Sequence, residues 1–230
     1  ADEARAPGGD LYREDRFERP FSAGAMEYLP AVDLQQADLA ADGTWFHVSL
    51  TLAGQPAPVA GVPLYYAVEL DLDLDGRGDL LIRAAAPAGS AWSTDGVQVW
   101  QDANEDGGGA APLAAEPSGG GDGYETLLFD GGRGADPDLA WVRLDPADPL
   151  RVQIAFKQAL AGEALRFAWG AWADASLVQP GWFEVNDRFS EADAGSPYIG
   201  DSHYPLQAVA GVDNTCRMGY GVSLLNQFPG

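Results

Sequence analysis

At 230 residues, 46% of them apolar, the chain is one large β domain or two small ones with enough material for a sizeable core. Its 35 acidic and 13 basic residues give a formal charge of −22, which argues against nucleic-acid and anionic-membrane partners. One cysteine and two histidines exclude an intrachain disulfide and an ordinary zinc constellation, and no apolar run approaches the ~20 residues of a membrane helix.

In chain order, residues 1–30 stand apart as an N-terminal arm. They show no sustained period, and they hold Arg5, Arg13, Arg16 and Arg19, which is basic for so acidic a chain. Residues 31–230 read as one domain. The 29 glycines and 16 prolines punctuate short strands and leave little room for long helices. Residues 32–40 and 44–54 flank Asp42-Gly43, a strong hairpin signal. In the second of these strands Phe46, Val48, Leu50 and Leu52 share one face, while Trp45, His47, Ser49 and Thr51 share the other. His47 therefore reads as a surface histidine.

The central stretch is YYAVELDLDLDGRGD, residues 65–79. Tyr66, Val68, Leu70, Leu72 and Leu74 alternate with Ala67, Glu69, Asp71, Asp73 and Asp75. One face is apolar and the other is a row of carboxylates, which needs a cation nearby. Short strands follow at 80–86, 96–101, 124–129, 139–144, 151–160 and 165–173, the fifth turning helical towards its end. Residues 110–123 are Ala-, Pro-, Ser- and Gly-rich and read as a surface loop. Later signals are a short strand at Trp182-Phe183, a helical turn capped by Ser190, and a strand at 203–209. The whole describes an all-β protein: an antiparallel β-sandwich or jelly roll with long acidic, glycine-rich loops.

Two loops share one grammar. Asp71-x-Asp73-x-Asp75-Gly76 and Asp102-x-Asn104-x-Asp106-Gly107 place oxygen ligands at every second residue before a glycine. Calcium takes six to eight oxygens, and the turn at glycine lets alternate side chains converge. Both loops resemble the first half of EF-hand, dockerin and thrombospondin-repeat calcium loops over about six residues. They depart at position twelve, where an EF-hand carries a bidentate Glu and this chain has Ile82 and Leu113. Further ligands would come from Asp79, or from Asp130, Asp136 and Asp138 in a third acidic turn.

Catalytic signals are weak. Ser90 sits in AGSAW rather than in a nucleophile elbow, and the carboxylate clusters lie in glycine-rich turns suited to a cation rather than in apolar pockets. Trp45, Trp100 and Trp172 fall on the more polar faces of their strands and are candidates for stacking on sugar rings. The Asp-Gly hairpin followed by a strand ending in DLDLDG resembles, over residues 33–86, secreted β-sandwich modules of the DOMON and family 9 carbohydrate-binding kinds. That resemblance implies a sugar or haem ligand. Haem would need axial ligands from His47, His203, Met26 or Met218 and is poorly supported.

The expectation is a non-catalytic, secreted, calcium-binding β-sandwich that is a structural subunit of an extracellular filament, tube or layer. Its N-terminal arm would contact a neighbouring copy of the chain. The alternative is a module that binds polysaccharide through exposed tryptophans. The opening ADEARAP matches a mature product after signal-peptide removal, and Cys216 is expected to be a buried thiol or to pair between chains.

Overall fold

The computed structural model describes residues 18–22, 27–57, 63–75, 78–103, 124–162, 166–175 and 211–215. These contain β1 (Glu18–Arg19), β2 (Leu34–Ala41), β3 (Trp45–Leu52), β4 (Tyr65–Asp71), β5 (Leu80–Ala85) and β6 (Val97–Gln101). They continue with β7 (Thr126–Asp130), β8 (Arg133–Gly134), β9 (Ala140–Asp145), β10 (Asp148–Lys157), β11 (Ala168–Asp174) and β12 (Val212–Asn214). One 3-10 turn, Gln158–Ala161, follows β10, where the sequence turns helical. The strands make two antiparallel sheets, β1-β12-β11-β4-β5-β6-β7-β8 and β2-β3-β10-β9. The chain is the all-β sandwich that its alternation predicts.

The core lies between the sheets. Val48, Leu50 and Leu52 of β3 and Val152, Ile154 and Phe156 of β10 share one cluster with Tyr66, Val68 and Leu70 of β4 and Leu80, Ile82 and Ala84 of β5. Each large apolar side chain buried there contributes roughly 1.5–3 kcal/mol of transfer free energy. Polar groups also tie the sheets together. Asp213 Oδ2 on β12 accepts the Leu34 N–H of β2 at 2.6 Å, and the buried Tyr66 hydroxyl donates to the Ala31 carbonyl at 2.8 Å. Burial pushes the Tyr66 phenol well above its ordinary pKa, so it stays a neutral donor.

Three features differ from expectation. Only one face of β4 should be buried, yet Ala67, Glu69 and Asp71 on the carboxylate face are 0%, 3% and 6% exposed. β4 is an inner strand of the larger sheet, and Leu81 of β5 and Trp172 of β11 are buried on the same face. Second, part of the arm lies on its own domain. β1 pairs with β12 as the edge of the larger sheet, Arg19 and Phe21 are fully buried, and Phe21 bridges to Tyr28. Third, β12 is a strand that the sequence did not announce, because VDN is three residues long and mostly polar. Residues 1–17 and the signals at 110–123, Trp182-Phe183, 190–193 and 203–209 lie outside the described residues, as do Met26, His203, Cys216 and Met218.

Two local devices position the functional surfaces. Asp42 closes the β2–β3 hairpin: its Oδ1 accepts the N–H groups of Thr44 at 2.7 Å and Trp45 at 2.8 Å. The Asp-Gly turn thereby sets the register that puts Trp45 and His47 outward. The β5–β6 connection is zipped to the edge of β9. Ser93 and Val142 exchange both backbone hydrogen bonds, at 2.8 and 3.0 Å, and the Leu144 N–H donates to the Gly89 carbonyl at 2.8 Å. The loop covers a strand edge that would otherwise be open to pairing.

Candidate functional site

The first cluster is the acidic end of β4. The strand stops at Asp71 because aspartate side chains compete with the sheet for backbone donors. Asp71 Oδ1 accepts the Leu74 N–H at 2.6 Å and Asp73 Oδ1 accepts the Asp75 N–H at 3.1 Å. Leu74 adopts φ 67°, a left-handed conformation that a leucine takes only when its surroundings hold it there. The chain returns at Asp79, whose N–H donates to the Leu70 carbonyl at 2.8 Å and whose Oδ2 accepts the Leu72 N–H at 2.5 Å.

One carboxylate oxygen from each of Asp71, Asp73 and Asp79 lies within 4.8 Å of the other two, a group that could hold a metal ion. Burial pushes the Asp79 carboxyl above the ordinary carboxylate range, and the charges of Asp73 and Asp75 push it the same way. The N–H groups of Leu72 and Asp73 oppose the rise. A cation would reverse it. Gly78 is required by space: a Cβ there would stand 1.8 Å from the Tyr124 hydroxyl and 2.7 Å from Glu69 Cγ. The loop thus returns against buried side chains with no room for a larger residue.

The other proposed ligands separate. Asp75 is in the loop but outside the three-carboxylate group. The Asp102 N–H donates to the Asp79 carbonyl at 3.0 Å, so the second acidic loop does start beside the first, but the buried Asp102 carboxylate does not join the group. Asn104 and Asp106 lie outside the described residues. Asp130, Asp136 and Asp138 do not belong to this cluster. Gln101, at the Asp79 end of β6, pairs with Thr126, whereas Asp130 pairs with Gln98 at the far end. There Arg133 binds Asp130 at 2.5 Å, Lys157 binds Asp136 at 2.5 Å, and Asp136 Oδ1 accepts the Asp138 N–H at 3.0 Å. Asp130 and Asp136 are thus held by cations of the chain itself, and the Lys157 bond holds Asp136 below the ordinary range.

The second cluster is aromatic and lies on the outward face of the smaller sheet. His47, Ala155 and Trp141 are register partners across β3, β10 and β9, so they stand in one row with the small alanine between two rings. Trp45 stands two residues before His47, and Trp92 comes over from the zipped loop. Trp45, His47, Trp92 and Trp141 line an open cleft of about 320 Å³, within the roughly 300–1,000 Å³ range of small-molecule sites. His47 and Trp92 lie 6.2 Å apart between ring centres. His47 Nε2 is 3.1 Å from Asp42 Oδ2, so the hairpin turn also orients the imidazole.

Cations flank the rings. Arg143 Cζ lies 4.3 Å from the centre of Trp92, and Lys157 Nζ lies 5.7 Å from that of Trp45. Arg143 Nε donates to Gln153 Oε1 at 2.7 Å, and Gln153 Nε2 donates to Asp145 Oδ2 at 3.2 Å.

Of the three tryptophans proposed from sequence, only Trp45 lines this cleft. Trp172 is 1% exposed and offers no face to a ligand, because both faces of β11 are buried. Trp100 is half-buried on the outer face of β6, where its Nε1 donates to Gln98 at 3.3 Å. Trp141 was legible by alternation, since it points away from the inward Val142. Trp92 sits in a loop with no period to place it. No protein family, curated protein or solved structure matches the chain.

Proposed function

We propose that the protein is a non-catalytic, calcium-stabilised β-sandwich that binds carbohydrate through the cleft of Trp45, His47, Trp92 and Trp141. The observation that carries this is the cleft itself: three indole rings and an imidazole around one opening of sugar-ligand size on a sheet face. Indole faces bury the apolar faces of pyranose rings, and the polar residues beside them supply hydrogen bonds that fix orientation. The resemblance to secreted carbohydrate-binding modules over residues 33–86 agrees with this ligand class. It also agrees with an extracellular location.

Calcium is the cation that suits Asp71, Asp73 and Asp79. All three offer hard oxygen ligands, and one oxygen from each gives three of the six to eight oxygens calcium takes, the rest left to second carboxylate oxygens, backbone carbonyls or water. Its role there is to neutralise a like-charged turn and fix the β4–β5 connection.

The test is titration of the protein with neutral and acidic oligosaccharides, followed by tryptophan emission. Saturable quenching that disappears in W92A and W45A, and persists in W100A, supports the reading. No response to any sugar overturns it.

The assembly role rests on a separate observation. The N-terminal segment enters the larger sheet as its edge strand, so the same pairing made with a second copy would join subunits. A chain lacking residues 1–22 that keeps the same oligomeric state as the full chain would end that role.

A further inference from the structure

Resting on the carbohydrate reading, we propose that the cleft selects an acidic sugar, a uronate ring, and that Arg143 is the residue that reads its carboxylate. The charge pattern around the cleft rules between three kinds of ligand. A cationic ligand, the usual occupant of an aromatic cage, meets rings already flanked by Arg143 over Trp92 and Lys157 over Trp45. Among the described residues, three carboxylates on or beside the strands of this face are engaged. Asp42 accepts from Thr44, Trp45 and His47, Asp136 from Lys157, and Asp145 from Gln153 and Arg151. None of them lines the cleft, and Arg143 adjoins it through Trp92 rather than lining it. A neutral sugar uses the rings but leaves the guanidinium idle.

Arg143 is built to be used. Its Nε is fixed by Gln153, which is itself fixed by Asp145 and, at 3.5 Å, by Ser49. Its Cζ lies 4.3 Å from the centre of the Trp92 ring. Holding a guanidinium at Nε beside an indole leaves the two terminal nitrogens as a fork, and that fork matches a carboxylate with two parallel hydrogen bonds. A uronate lying on the indoles therefore satisfies both the ring faces and the fork. The body's charge of −22 opposes an anion at a distance, but salt screens that field beyond about 8–10 Å, while the contact at the fork is direct. The acidic body thus slows the approach of an acidic glycan without cancelling the contact.

The experiment compares oligogalacturonate and oligomannuronate with their carboxyl-reduced neutral counterparts, in wild type, R143Q and R143K, each first shown to melt like wild type. The expected result is tighter binding of the acidic oligomers by tenfold or more, the size of one charge-assisted pair. R143Q should lose that preference, bringing acidic and neutral oligomers to the same affinity, and R143K, with charge but no fork, should fall between. Equal affinity for acidic and neutral oligomers, or a preference unchanged in R143Q, overturns the inference and leaves the carbohydrate reading standing. Binding of no sugar overturns both. Should R143Q fail to fold, Q153L, which releases the Arg143 Nε, must reduce the acidic preference or the inference falls.

Discussion

At the scale of single residues, the acidic turn and the hairpin turn behave oppositely with pH. The Asp79 carboxyl is raised above its unfolded value by burial and by its acidic neighbours. Its contribution to the metal-free protein is therefore full below about pH 3.9, the unfolded value, and is lost as pH rises through the raised folded value. In chelator, D79N should melt higher than wild type at pH 7, with the gap closing towards pH 4. Differential scanning calorimetry across that range checks the sign. Asp42 is the reverse case. The N–H groups of Trp45 and Thr44, then His47, hold its carboxyl down to about 2. Its contribution is present above about pH 3.9 and lost as pH falls through 2, so the deficit of D42A at neutral pH should narrow in acid. Gly78 makes a third prediction. A methyl group there meets Glu69 and Tyr124, and G78A should cost about 1–3 kcal/mol, measured by urea unfolding.

At the scale of elements, the zipped loop between β5 and β6 does two jobs with one set of hydrogen bonds. It covers the edge of β9 and presents Trp92 to the cleft. Shortening residues 87–92 should therefore abolish sugar binding and increase association between chains, read together by tryptophan emission and light scattering. This element also marks the limit of what the sequence discloses. Strand alternation made the β2–β3 hairpin, β4 and β10 legible, because the period of two is written in their side chains. It also placed Trp45 and His47 on the outward face. It could not place Trp92, since a loop has no period, nor show Trp172 as buried, since that depends on what covers the second face of the larger sheet. The Asp71–Asp79 turn was legible from composition as a row of carboxylates, of which Asp71, Asp73 and Asp79 come together in a group that could hold a metal ion. That Asp130, Asp136 and Asp138 belong elsewhere was not, because strand register decides it and register is a pairing between distant segments.

At the scale of the whole molecule, the two clusters lie on different sheets, the acidic turn on the larger and the aromatic cleft on the smaller. Calcium should therefore change stability more than sugar affinity. Saturating calcium at one hundred times its Kd would add about 2.7 kcal/mol, a rise in Tm of roughly 5–10 °C for a chain of this size. D71N and D73N should remove that rise while leaving oligosaccharide affinity within twofold of wild type. A body of charge −22 would gain a second benefit from any cation it binds, since each one would relieve self-repulsion throughout the fold. The stabilisation by calcium should accordingly be larger at low ionic strength.

Lys157, beside Trp45 and bonded to Asp136, is the only lysine in the chain. Amine-reactive chemistry therefore has one side chain to attack, apart from the terminal amine, and that side chain stands at the rim of the cleft. A fluorophore coupled there would report on the site with no engineering. Immobilisation through amines would bury the same site against the surface, and a sensor chip made that way would register a protein that binds nothing.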